Sequence, residues 1–161
     1  MIELTAIGWI HTVVGMIAIG LGVMQIITLG EVRADTRTGQ IFLVLTALTS
    51  VTALLLHVRT TFGPGHILAV LALGAIGFGL VVGRGAARGS WRHILAALAY
   101  SFTLVCQLIP GASEALTRLP LGNPVVASFD APELKLVFLG ILAGFAILAL
   151  YQTVRLRRQL A

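Results

Sequence analysis

Residues 4 to 29 read LTAIGWIHTVVGMIAIGLGVMQIITL, with no charged side chain from Leu4 to Leu29. About 20 apolar residues wound as a helix cross a hydrocarbon core of roughly 30 Å, so this stretch is long enough to span a bilayer. It is too long for the apolar core of a cleaved signal, and Met1-Ile2-Glu3 lacks the positive charge that precedes one. The stretch is therefore expected to remain in the mature protein. It ends in a polar turn bounded by Gly30 and Gly39 and carrying Glu31, Arg33, Asp35 and Arg37.

Further spans follow the same logic along the chain, at about 40–58, 66–83, 91–109 and 134–154. Arg59 and Gly63-Pro64-Gly65 close the second of them, and Pro110-Gly111 is expected to stop the fourth, because proline and glycine punctuate helices. An outer loop over 110–133 then holds Pro110, Pro120, Pro124 and Pro132. Thr46, Thr49, Ser50 and Thr52 interrupt the second span only weakly, since hydroxyls can return hydrogen bonds to helix backbone or to a neighbouring helix.

Composition agrees. Of 161 residues, 58% are hydrophobic and 11% charged, and the mean hydropathy is +1.00. A soluble domain of this size has too little interior to hide so much apolar surface. The expected fold is an all-α integral membrane protein, a single bundle of five transmembrane helices over 1–161 with the lipid bilayer as its main partner. Only helices or closed barrels satisfy every backbone group in lipid, and the alternation of barrel strands is absent.

The net charge of +5 is not a nucleic-acid signal, because the basic residues stand singly between apolar spans without aromatic interleaving. They sort by side instead. Arg33, Arg37, Arg84, Arg88, Arg92, Arg155, Arg157 and Arg158 fall on one side, against Arg59, Arg118 and Lys135 on the other. The positive-inside rule makes the richer side cytoplasmic, with the N-terminus outside and the C-terminus in the cytoplasm. Cys106 is the only cysteine, so no internal disulfide or thiolate cluster can form.

Small residues recur on helix faces. Gly8, Gly15 and Gly22 share a face of the first span with His11, Ala18 and Gln25. Ala75, Gly79 and Gly83 repeat the pattern in the third, and Gly140 with Gly144 in the fifth. Such positions let a second backbone approach closely, in a tight bundle or an oligomer face. On the fourth span, His93, Ala97, Tyr100 and Gln107 form a polar stripe suited either to a substrate cleft or, more simply, to hydrogen bonds with the threonine face of the second span.

Ionisable residues inside a membrane are costly and suggest function. His11, His57 and His66 belong by topology to one leaflet, with His11 deeper, while His93 lies at the opposite surface. Two imidazoles from different helices would suit a haem b, and three a divalent metal. A hydrogen-bonded packing role is the simpler reading of His11, which is expected to turn inward. Phosphate-cradling loops, catalytic triads and paired carboxylates are missing.

Four short runs occur in a familiar order: Ile10-His11-Thr12-Val13-Val14-Gly15, Thr36-Arg37-Thr38-Gly39-Gln40-Ile41-Phe42, Phe62-Gly63-Pro64-Gly65-His66-Ile67-Leu68 and Trp91-Arg92-His93. Over roughly residues 8 to 110 the chain resembles bacterial predicted membrane proteins of the family called domain of unknown function 2306. The resemblance implies a membrane fold without an assigned reaction, and carries over His11, Arg37 and His93. In that family a histidine precedes the arginine at the second helix, where this chain has Thr36.

Three function classes follow. The favoured one is a non-enzymatic accessory or assembly component of a homo-oligomer or larger membrane complex in the bacterial inner membrane. A haem b- or metal-binding redox or cofactor-handling protein is the second, and a small-solute transporter the third.

Overall fold

The computed structural model describes residues 6–56, 63–120, 123–126, 128 and 130–159. Among them the regular structure is entirely helical: α1 Ala6–Leu29, α2 Arg37–Leu56, α3 Pro64–Gly83, α4 Trp91–Arg118 and α5 Pro132–Arg157. All five are long and apolar enough to cross a membrane. The third span, which reads as the shortest, gains two residues at its start because Pro64 takes a first-turn position, where its missing N–H is no loss. Its 20 residues then rise about 30 Å.

Pro110 does not end the fourth helix as its sequence suggests. The helix runs through it to Arg118, and the connection to α5 shortens to match. A proline forfeits one backbone bond, whereas breaking the helix in an apolar medium would strip several. The following turns are supported locally. Ser113 Oγ donates to the Ile109 carbonyl (2.8 Å), Thr117 Oγ1 to that of Ser113 (2.6 Å), and Arg118 pairs with Glu114 one turn back.

Helix α4 is the most buried element and packs chiefly on α3 and α5, while α1 packs on α2. The core joins Ala18, Phe42, Leu43, Ile76, Ala96, Tyr100 and Leu104 from the first four helices. Large apolar side chains such as Trp9, Ile27, Val44, Val81, Leu136 and Ile147 instead cover the outside. That inversion of a soluble protein's surface is what a lipid solvent permits. Helix α5 is the least buried and lies against α4.

Glycines set the closest approaches. A Cβ at Gly22 would stand 2.7 Å from Phe42 Cε2 and 2.8 Å from Leu104 Cδ2, one at Gly83 2.9 Å from Ala96 Cβ, and one at Gly79 would clash with the edge of the Tyr100 ring at Cε1. At Gly15 a Cβ would reach Thr49 at an ordinary 3.4 Å. Gly8 is buried and its carbonyl accepts from Thr12 Oγ1 (3.0 Å). At Gly140 and Gly144 a Cβ would meet nothing within 4 Å.

Gly79→Ala should therefore lower the thermal stability of the detergent-solubilised protein by about 1–3 kcal/mol, the usual consequence of overfilling a close contact. Gly74→Ala, where a Cβ meets nothing within 4 Å, should be neutral or slightly stabilising. Equal unfolding midpoints for the two variants would contradict the packing of α3 on Tyr100.

Candidate functional site

The polar residues concentrate at the end of the bundle where α1 and α3 finish and α2 and α4 begin. Their arrangement follows from a backbone problem, because the last carbonyls of a helix have no partner within it. At the end of α1, Arg155 NH1 of α5 donates to the Leu29 carbonyl and Gln152 Nε2 to that of Gly30 (3.1 Å). Gly30 has φ 74, and the Arg155 guanidinium fills the space a Cβ would need. Only glycine suits both conditions. At the end of α3, Arg92 Nε and NH2 take the Val82 and Arg84 carbonyls (3.0 and 2.9 Å).

Gln152 is fully buried and also exchanges hydrogen bonds with Ser101 of α4 (3.0 and 3.2 Å), so a single side chain joins α1, α4 and α5. Gln25 does the same for the α1–α2 turn. Its Nε2 donates to Thr36 Oγ1 (2.7 Å) and its Oε1 accepts from the Arg33 N–H (2.8 Å). Thr36 Oγ1 in turn accepts from the Gly39 N–H (3.1 Å), capping α2. The threonine that stands where the resembled family has a histidine is thus a structural cap, and Arg37 beside it is exposed.

At the centre lies Glu31, only 5% exposed, with Oε2 3.0 Å from His93 Nε2. The Gly89 N–H donates to His93 Nδ1 (3.0 Å), which places the ring proton on Nε2, toward the carboxylate. The approach is off the line of a good hydrogen bond, and Glu31 Oε2 has no hydrogen-bond partner among the described residues. Burial pushes the Glu31 carboxyl above its ordinary range, while His93, Arg33, Arg155 and Arg88 pull it back. Nearby, the Arg33 guanidinium holds Asp35 below the usual carboxylate range.

The remainder of the expected polar face lies along α4. Tyr100 is buried against α3, and Gln107 Nε2 donates to Thr46 Oγ1 of α2 (3.0 Å). Gln107 Oε1 is buried without a partner among the described residues.

Of the histidines proposed as cofactor ligands, His11 and His66 occupy the opposite end. His11 Nδ1 stands 3.0 Å from Thr52 Oγ1 of α2. Thr52 already donates to the Leu48 and Thr49 carbonyls, so Nδ1 is the donor and Nε2 keeps its lone pair. His66 is the reverse: its Nδ1 accepts from the Gly63 N–H (3.0 Å) at the start of α3, so Nε2 carries the proton. A metal needs the lone pair, which makes the two unlike as ligands. His57 lies outside the described residues. Among the described residues no three His, Cys, Asp or Glu side chains are grouped to hold a metal ion.

Glu31, Gln152 and the capping role of Arg155 escape a reading of the sequence, because each is defined by a partner far along the chain. A glutamate directly after a helix-ending glycine and before a valine is the one local hint.

Among the described residues, fold and site together define an all-helical structure with five helices fit to cross a membrane and a buried polar joint at one end. Compared with protein-family models, curated proteins and solved structures, it matches none.

The Glu31–His93 pair makes a pH prediction. Because burial raises the Glu31 pKa of the folded chain above the ordinary 4.5, the folded state binds the proton more tightly than the unfolded one. The stability this supplies is complete below pH 4.5 and is lost as pH rises through the folded value. Glu31→Gln, which keeps the shape and removes the charge, should flatten thermal stability against pH in that range and be no less stable at neutral pH. His93→Ala, which removes the nearest polar neighbour of a buried carboxyl group, should lower stability by about 1–3 kcal/mol. A wild-type pH profile in Glu31→Gln would contradict the assignment.

Proposed function

We propose that this chain is an integral membrane protein crossing a bacterial inner membrane five times, with its N-terminus outside, and that it is a non-catalytic accessory or assembly component. The bias of basic residues toward the end carrying Arg33, Arg84, Arg88 and Arg155 supports that orientation, and the resemblance to a family of predicted membrane proteins agrees with it. The polar joint has a structural use for nearly all of its groups, as caps and cross-links between helices, which supports a scaffold over a reaction centre.

The observation that carries the assembly role is helix α5. It lies against α4, and Gly140 and Gly144, one turn apart, meet no neighbouring atom within 4 Å of where a Cβ would be. Glycine in a helix interior is unfavourable by about 1 kcal/mol relative to alanine, and its recompense in a membrane is a second backbone brought close. Among the described residues that recompense is missing at both positions. A transmembrane helix from a second copy or from a larger complex supplies it.

Gly140→Leu/Gly144→Leu should leave the thermal stability of the isolated chain within about 1 kcal/mol of wild type, since nothing is overfilled. It should also shift the protein extracted from native membranes in mild detergent to a smaller assembly on native gels and after cross-linking. Wild-type protein that runs as a monomer by both methods would overturn the assembly role.

A further inference from the structure

A cleft of about 630 Å³ opens beside His93 between the α1–α2 turn, the end of α3 and the start of α4. Its inner wall is apolar and buried, formed by Val32, Ala97 and Tyr100. Arg33, Arg84 and Arg88 also line it, with Arg84 and Arg88 exposed at its edge. Asp35 lines it too, and is bound by Arg33 through Nε (3.0 Å) and NH2 (2.5 Å), with Arg88 NH2 3.8 Å from the same carboxylate oxygen. Among the described residues Arg84 has no carboxylate within ion-pair distance. Arg33 and Arg88 thus share the Asp35 carboxylate, and Arg84 is left without one.

The neighbouring polar groups are committed elsewhere. His93 Nδ1 accepts from the Gly89 N–H and its Nε2 faces Glu31 at 3.0 Å, and the Arg92 guanidinium caps α3. The surplus charge therefore sits on Arg84 and Arg88, on a turn in which Gly85 takes the left-handed φ of 66 that favours glycine. A planar guanidinium fork suits a phosphate, which it can grip through two parallel hydrogen bonds. The first turn of α4, capped by Ser90, adds the positive end of a helix at the same place.

The geometry points to a binding site for a phosphate-bearing anion in this cleft, and its apolar inner wall fits the phosphodiester headgroup of an anionic lipid. A soluble phosphate compound shares the headgroup chemistry without needing the wall. The inference rests on the membrane reading above, under which the ends of α3 and α4 lie at headgroup depth. Basic pockets between transmembrane helices on the cytoplasmic side recognise anionic lipids by this charge pattern.

The test uses the full chain reconstituted in phosphatidylcholine vesicles containing a minor fraction of phosphatidylglycerol. Spin-labelled phosphatidylglycerol and phosphatidylcholine report which lipid the protein immobilises. Wild type should immobilise phosphatidylglycerol preferentially and saturably. Arg84→Gln/Arg88→Gln should weaken that preference about 25-fold, since each arginine beside an anionic headgroup is worth about fivefold. Arg84→Lys/Arg88→Lys should recover part of it.

Displacement of the labelled lipid by excess inorganic phosphate would assign the site to a soluble phosphate compound. Resistance to phosphate would assign it to the lipid. No preference in wild type, or the same preference in the glutamine variant, overturns the site. Flotation of the protein with the vesicles after alkaline washing checks insertion separately. A chain that fails to float refutes the membrane reading, and with it the lipid source.

Discussion

The carbonyls that α1 leaves open at Leu29 and Gly30 are the constraint around which this end of the bundle is organised. A helix that stops inside protein rather than in water must have its last carbonyls satisfied by other groups, at a penalty of about 1–3 kcal/mol for each one left bare. Here α5 supplies Arg155 and Gln152 for α1, and α4 supplies Arg92 for α3. Capping one helix with another's side chains fixes which helices are neighbours. Ser101 on α4 holds Gln152 in place, so α5 is positioned against the end of α1 through this buried amide together with Arg155.

This use of arginine bears on the charge pattern as a whole. Arg92 and Arg155 read as topology determinants along with Arg33, Arg84, Arg88, Arg157 and Arg158. In three dimensions they divide by job. Arg92 and Arg155 neutralise the negative ends of α3 and α1, Arg33 binds Asp35, and Arg84 and Arg88 remain exposed beside the cleft. Arg92 and Arg155, which the sequence marks only as part of a charge bias, are thus also helix caps. The opposite end is plainer, with His11 on Thr52 and His66 closing the first turn of its own helix.

The spans were legible because length and the absence of charge are local properties. Leu4–Leu29 and 134–154 differ from α1 and α5 only at their margins. Pro110 misled because proline usually ends a helix, and the Ser113 and Thr117 hydrogen bonds and the Arg118–Glu114 pair that support α4 beyond it are not written at position 110. The polar face of α4 was legible from its spacing, since residues three and four apart share a helix face, and Gln107 meets the threonine face of α2 through Thr46. Glu31 was not, because its burial depends on His93 and on Arg155 more than a hundred residues later. Gly22, Gly79, Gly140 and Gly144 look alike in the sequence. Only the fold separates the two pressed against Phe42 and Tyr100 from the two on α5 that face no neighbour.

The dependence of the bundle on the α1–α5 joint is open to direct measurement. Nitroxide labels at Thr28→Cys and Val154→Cys, in a Cys106→Ala background, report the separation of the ends of α1 and α5 in the reconstituted protein by pulsed electron resonance. The account predicts one narrow distance distribution, and a broad one once Gln152→Leu and Arg155→Leu remove the donors to Gly30 and Leu29. An equally narrow distribution in the leucine variant would contradict it.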